Sequence, residues 1–450
     1  MSFLKRFQSL LESLYELPEN SKYVIAYSGG IDSHVLLYCC AKLKLPVRAI
    51  HIHHGLQGIA DEWVNHCRGI CEQLDICCDV VFVDAKQKNG QSPEESARNA
   101  RYAALHGNLQ DGDCLITAQH QNDQAETLLL QLFRTASAAG LAAMPERKQL
   151  GDCVHIRPLL SFSRLEIEAF AKDNSLQWVE DPSNQDVTFD RNYVRKNIMP
   201  VLIERWPEIA KQLSTVADLQ QDNLNVLEDM AAIDFADVVV LPTFQSVLCR
   251  YFVVSVLSVA ALKELSSERL FNLLRYWVIS EVKVSPTRKL LQEIVKTIIN
   301  AKQDVNSVIA YSGFEFRKHS DKLYLLKAGT VIDIENGVAW KPSSPIVLPG
   351  LNARFSAVKK LGAGLKVELL SKPLKLCFRQ GGERFHPENR QHSQSLKKIL
   401  QEEGVPPWER NTFPLLYFND ECIAVVGLWV SKQFAVDKDE QGWVIEIEKL

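Results

Sequence analysis

Nowhere does this 450-residue chain stay apolar for the roughly 20 residues that a bilayer-spanning helix requires; its most apolar late stretch, Tyr251 to Leu262, runs for about twelve. A membrane span is therefore not expected. The N-terminal MSFLKRFQSLLESLYEL lacks the continuous core of a secretory signal, because Lys5, Arg6, Glu12 and Glu16 interrupt it, and it reads as an amphipathic first helix. No CxxC pair occurs among Cys39, Cys40, Cys67, Cys71, Cys77, Cys78, Cys114, Cys153, Cys249, Cys377 and Cys422, which excludes the common zinc-site spacing. An odd number of scattered cysteines points to free thiols in a reducing cytoplasm rather than to a disulfide framework. There is no GxxxxGK[ST], which disfavours Walker-type γ-phosphate transfer. Strong charge of one sign is missing too: a net charge of -4 does not advertise nucleic-acid binding by the chain as a whole.

What is present is an ordinary globular composition, 46% hydrophobic and 24% charged, in a chain long enough that we expect three domains. The first 180 residues alternate β-rich runs with helical patterns: KYVIAYS, VRAIHIHH, CDVVFVDA, DCLITAQH and VHIRPLL each precede an amphipathic segment. That alternation predicts a parallel sheet wrapped by helices, with every strand's carboxyl end on the edge where open α/β sheets bind ligands. From Asp190 to about Asn300 the apolar spacing becomes three and four, which predicts an all-α second domain. A segment punctuated by Pro342, Pro345, Pro349 and Gly350 precedes a final mixture of strand-like runs and one helical pattern, Ser395 to Glu403.

The sharpest local signal follows the first strand. Ser28-Gly29-Gly30-Ile31-Asp32-Ser33 joins a strand to a helix, whose unpaired N–H groups and positive dipole end favour phosphate. Glycines let the backbone approach phosphate oxygens, and Ser28 and Ser33 add hydroxyl donors. Asp32 would repel phosphate unless it holds a Mg²⁺ ion, so both ATP and Mg²⁺ are expected here. Without a Walker lysine, the loop suits release of pyrophosphate by cleavage between the α and β phosphates.

This SGGIDS segment resembles the motif of the PP-loop, or N-type, ATP pyrophosphatases. Further segments resemble one branch of that family, the tRNA(Ile)-lysidine synthetases, over nearly the whole chain. They are His51-Ile52-His53-His54-Gly55-Leu56; Glu95, Arg98, Arg101 and Tyr102; TAQHQNDQAETLLLQLFR from Thr117 to Arg134, with Gly140-Leu141; Arg157-Pro158-Leu159-Leu160; WVEDPSN with DRNYVR; and SLKKILQEEGVPPWERNTFPLLY. The resemblance implies a fold of α/β class, with a PP-loop catalytic domain over 1–212 and a helical domain over 213–332. A linker over 333–366 and a small α+β tRNA-binding domain over 367–450 complete it. It also implies the chemistry: ATP adenylates O2 of the wobble cytidine in the CAU anticodon of tRNA(Ile), and the ε-amine of free lysine attacks C2 and displaces AMP.

Asp123 and Glu126, three apart on one helical face, are the implied catalytic and lysine-binding carboxylates, although acids near a helix start also answer its dipole. His53 and His54 end a strand beside the loop, where an imidazole contacts nucleotide or serves structure. Arg98 and Arg101 share a helix face and are expected on ATP phosphates, a solvated pair being the alternative. Arg191 and Arg195 lie four apart; Arg191 is assigned to catalysis and lysine binding, and Arg195 to tRNA. The stretch of Lys372, Lys375, Arg379, Arg384, Arg390, Lys397 and Lys398 is the expected tRNA surface, with Arg379, Lys397 and Lys398 as contacts. Trp408 either stacks on a base or fills a small core. Asn122 stands where the family commonly has Asp, and Thr135-Ala136-Ser137 replace a glycine-bearing loop. A tRNA thiolase or a non-catalytic tRNA-binding paralogue are the competing readings, and a homodimer is left open.

Overall fold

The computed structural model describes residues 1–53, 60–83, 93–134, 137–242, 251–301, 307–329, 337–348 and 353–449. His54, Gly55, Leu56, Thr135, Ala136, Pro349 and Gly350 lie outside them, as does the side chain of Glu95. The chain forms two compact units, Met1–Val226 and Leu227–Leu450.

The first unit contains the expected sheet. Its strands are β1 (Tyr23–Ala26), β2 (Val47–His53), β3 (Cys78–Phe82), β4 (Cys114–Ile116), β5 (Arg147–Leu150) and β6 (Cys153–Ile156), in spatial order β3-β2-β1-β4-β6-β5. Ladders among the five expected strands are parallel, whereas β5 pairs antiparallel with β6 as an added edge. The helices are α1 (Phe3–Leu14), α2 (Ile31–Lys42), α3 (Ala60–Gln73), α4 (Pro93–Gly107), α5 (Gln121–Phe133), α6 (Ala138–Leu141) and α7 (Arg164–Asp173). Helix α2 is enclosed along most of its length, with Val35, Leu36 and Leu37 buried against Ile25 and Ile116 of the sheet. Each such side chain contributes about 1.5–3 kcal/mol by leaving water. Every described cysteine is a free thiol.

The strand order sets the site. The chain leaves β1 toward β2 and β3, then returns to place β4 on the other flank of β1, so the order reverses between β1 and β4. Loops leaving these neighbours diverge and open a crevice at the carboxyl edge. Into it come the loop after Ala26 and the start of α5. After α7 the chain forms α8 (Asp190–Tyr193), a wide π turn over Val194–Ile198, α9 (Met199–Arg205) and α10 (Ile209–Val238).

The second unit corrects the expectation of a purely helical middle domain. Helices α11 (Val259–Glu264), α12 (Ser267–Val282) and α13 (Arg288–Ile294) are present, but they pack on an antiparallel sheet of β7 (Tyr251–Ser258), β8 (Val308–Tyr311), β9 (Phe314–His319) and β10 (Lys322–Ala328). Trp277, Leu273 and Ile294 meet Leu257, Phe316 and Leu323 in its core. YFVVSVLS is β-branched and aromatic, the composition of a strand, yet it runs directly into the helical VAALKE, so the apolar stretch as a whole does not show where one ends and the other begins.

The segment expected as a linker also carries structure. Ile346–Leu348, Ala353–Leu361, Gln441–Lys449 and Leu365–Lys366 form one antiparallel sheet, in that order. Val338–Trp340, Leu374–Phe378, Pro414–Phe418, Glu421–Val425 and Trp429–Val430 form another, and α14 (Leu396–Glu402) lies among Phe385, Val405 and Phe413. Both sheets contribute to one core around Trp340, Phe355, Leu416 and Trp443. No helix among the described residues is long and apolar enough to cross a membrane.

Candidate active site

The loop after β1 is held in shape by its own hydroxyls. Ser28 Oγ lies 3.0 Å from Ser33 Oγ and accepts the Gly30 N–H at 3.3 Å, while Ser33 Oγ–H donates to the Gly30 carbonyl at 2.9 Å. Gly29 has φ +85°, and a Cβ there would stand 2.9 Å from Cys67 Sγ and 3.0 Å from Val179 Cγ2. Only glycine suits that position. Its carbonyl accepts the Val179 N–H at 3.0 Å, which draws the WVEDPSN segment to the loop. Ile31 begins α2 with its side chain in the core, and Asp32 follows in the first turn.

Asp32 is engaged. Arg164 Nη1 donates to its two oxygens at 2.7 and 2.6 Å, and His120 Nε2 lies 3.7 Å from Oδ1. Burial nevertheless outweighs His120 and Arg164 and holds the Asp32 carboxyl above its ordinary value.

On the facing side, α5 starts with a capping box: His120 Nδ1 accepts the Asp123 N–H at 3.4 Å, and Asp123 Oδ2 accepts the His120 N–H at 3.0 Å. The apolar side of α5, around Ala125, packs on Val194 and Met199. Its polar side turns Asp123 and Glu126 toward two guanidiniums. Arg191 reaches Asp123 Oδ1 at 3.2 Å and Glu126 Oε2 at 3.0 Å; Arg195 reaches Asp123 Oδ1 at 3.0 Å and the Glu126 oxygens at 2.7 and 2.9 Å. The π turn starts between these arginines, a distortion that often marks functional helices. Burial pushes the Asp123 carboxyl up, but His120, Arg191 and Arg195 pull harder and leave it below its ordinary value. The same carboxylates hold the Arg195 guanidinium above its own ordinary value against burial.

The structure thus brings Ser28, Asp32, Ser33, Asp123, Glu126 and Arg191 to one crevice. Arg195, expected on tRNA, stands there as well. Arg101 is within electrostatic range of Asp181 and Arg191, while Arg98 lies over the Tyr102 ring at 5.2 Å. His53 ends β2 on the same edge, its ring 4.8 Å from that of Phe82. Residue spacing did not reveal Arg164 or His120; Arg164 lies 132 positions beyond Asp32, and only folding joins them. Asn122, the family departure, accepts the Arg164 main-chain N–H at 3.0 Å, a task for which an amide oxygen suffices.

The C-terminal candidates divide. Lys397 and Lys398 are exposed on α14. Arg379 is not a free surface cation: its side chain is 9% exposed, 3.2 Å from Glu383, and donates to Asn411 at 2.8 Å. Trp408 is 8% exposed and meets the Tyr324 ring edge-on at 5.2 Å, so it fills a core.

A glycine-bearing phosphate loop without a Walker lysine, set at the reversal point of a parallel sheet, defines a PP-loop nucleotide-binding domain. Residues 3–202 match the PP-loop domain family, 257–324 the TilS substrate binding domain and 374–447 the TilS substrate C-terminal domain. The tRNA(Ile)-lysidine synthase of Coxiella burnetii is 38% identical over 445 residues, 98% of this chain and 96% of that protein. Its counterparts in Methylococcus capsulatus and Legionella pneumophila (strain Lens) are each 36% identical, over 93% and 96% of this chain and 94% and 97% of theirs. The chain belongs to the tRNA(Ile)-lysidine synthase family.

Proposed function

We propose that the crevice adenylates the wobble cytidine of a CAU-anticodon tRNA(Ile) with ATP and then joins free lysine to it, giving lysidine and changing the codon read from AUG to AUA. The observation that carries this reading is the placement of the phosphate loop opposite a partly buried set of paired carboxylates and guanidiniums. Adenylation needs in-line attack of the cytosine O2 on the α-phosphate with pyrophosphate leaving, a reaction helped by fixed donors such as the Ser28 and Ser33 hydroxyls and the α2 N-terminus. Arg98 and Arg101 are suited to the phosphates from α4. Free lysine carries both charge signs. Asp123 and Glu126 match its ammonium groups, and Arg191 and Arg195 match its carboxylate or the adenylate phosphate, so the site's charges are compensated before the substrate arrives. The attacking ε-amine must shed a proton, a role this reading gives to Asp123 or Glu126. Bond formation from that nitrogen to C2 then expels AMP.

Mg²⁺ is implied by the fold family. Such an ion is normally held by one or two carboxylates together with substrate phosphates. Asp32 beside the loop fits that pattern, and among the described residues no cluster of His, Cys, Asp and Glu forms a separate cage. Bound with ATP, it would neutralise phosphate charge. The tRNA body is assigned to the second unit, with Lys397 and Lys398 as phosphate contacts, and the protein to the cytoplasm.

Incubation with ATP, Mg²⁺, labelled lysine and either the CAU-anticodon tRNA(Ile) or the CAU-anticodon tRNA(Met) tests the reading. Label is expected in the isoleucine tRNA alone, with AMP and pyrophosphate released. Formation of ADP, or unlabelled tRNA, would overturn it.

A further inference from the structure

Asp32 is the carboxylate that the loop offers to a divalent cation, yet Arg164 Nη1 already sits 2.7 and 2.6 Å from its two oxygens. A divalent ion cannot join them without placing two charges beside a guanidinium, so the seat is open only when Arg164 has moved. The residue is built to move without being lost. Its main-chain N–H is fixed by Asn122 Oδ1 at 3.0 Å, and its Nε donates to Glu168 Oε1 at 2.8 Å, one turn along the same helix. Only the outer nitrogen reaches Asp32. The guanidinium is a rigid plane and swings as one unit, and Glu168, itself 35% exposed, can follow it as Asp32 is released. Both Asp32 and Arg164 are partly open to the crevice, at 29% and 37% exposure, where a polyphosphate would enter.

We propose that Arg164 is a latch on the cation seat: it occupies Asp32 until ATP arrives, its guanidinium is then drawn to the more highly charged phosphates, and the divalent ion is seated with the nucleotide rather than before it. The proposal rests on the reading of this crevice as a nucleotide site. It makes Arg164 a positioning residue that orders loading, and it assigns Asn122 the task of aiming that residue.

The test uses the full-length protein and Mn²⁺ alone, with loss of the free-ion electron paramagnetic resonance signal as readout, in the absence of ATP, lysine and tRNA. Wild-type protein is expected to bind Mn²⁺ weakly, and Arg164→Gln to bind it about tenfold more tightly or better, the scale of one charge-assisted hydrogen bond. Adding Asp32→Asn to Arg164→Gln should remove the gain. Equal affinity of wild type and Arg164→Gln, or a gain that survives Asp32→Asn, would overturn the latch. Should Arg164→Gln fail to fold by thermal melting, Arg164→Met decides, since it keeps the apolar stem of the side chain and removes the charge that blocks Asp32. An affinity above wild type supports the proposal, and an unchanged one contradicts it. Failure of lysine incorporation would instead strike the parent reading and leave the Mn²⁺ result intact.

Discussion

Two regions of this molecule carry similar charged residues and use them in opposite ways. In the crevice, Asp123 and Glu126 are enclosed and tied to Arg191 and Arg195. Along the C-terminal stretch, Lys397 and Lys398 stand in solvent, with Lys398 Nζ 3.9 Å from Glu402. Enclosed charges are little screened and hold their geometry, which suits stabilising a reaction. Exposed lysines are screened by salt and individually weak, which suits affinity for a phosphate backbone. The difference also shows that a basic stretch is not uniform: Arg379 and Arg390 are tied to Glu383 and to Glu402 and Glu403, and serve the fold.

The comparison can be broken at its strong end first. Glu126 is 2% exposed, so Glu126→Ala leaves two guanidiniums without their deepest partner. We expect a loss of about 2–3 kcal/mol in denaturant melts, less than for a fully buried pair because Arg195 is 39% exposed. A change below about 0.5 kcal/mol, the level of an ordinary surface substitution, would show the cluster to be loosely held.

Glu409 sharpens the contrast. This carboxyl is buried in the second unit and accepts a hydrogen bond from the Thr412 hydroxyl at 3.2 Å instead of from guanidiniums, and burial pushes it up to about 7. A folded pKa above the unfolded one means that the native state holds the proton longer. Its contribution is therefore fully present below the unfolded pKa and is lost as pH rises through about 7, by on the order of 3 kcal/mol. Asp123 acts with the opposite sign, since its lowered carboxyl favours the fold above its unfolded pKa and loses that contribution in acid. Glu409→Gln should flatten the decline when stability is measured across that window, and an unchanged slope would reassign it.

Much of the first unit was legible because its inner strands are short continuous apolar runs, buried along their length in β4 and β6, that end in turn residues. Strand β5, RKQL, is polar and largely exposed, so nothing in its pattern marks it. The middle domain's sheet is hidden for a different reason: β8, β9 and β10 follow the helical spacing that ends near Asn300, and helices α12 and α13 dominate the pattern before them. In the site, SGGIDS and the Asp123–Glu126 pair were visible because local spacing alone puts those groups together. The Arg164–Asp32 contact was not, because it depends on α7 packing beside α2, and residue type says nothing about which carboxylates the Arg195 guanidinium meets.

The division between chemistry and affinity is tested most directly by steady-state lysine incorporation with two variants side by side, Asp123→Asn and the double substitution Lys397→Glu with Lys398→Glu. Asp123→Asn should lower kcat at least about 100-fold, the scale of a lost charge-stabilising or proton-accepting group, with the KM for tRNA unchanged. The double lysine variant should fold like wild type, to within about 0.5 kcal/mol, and should raise the KM for tRNA and flatten its salt dependence at unchanged kcat. A normal kcat in the first, or a lowered kcat with normal KM in the second, would contradict the account.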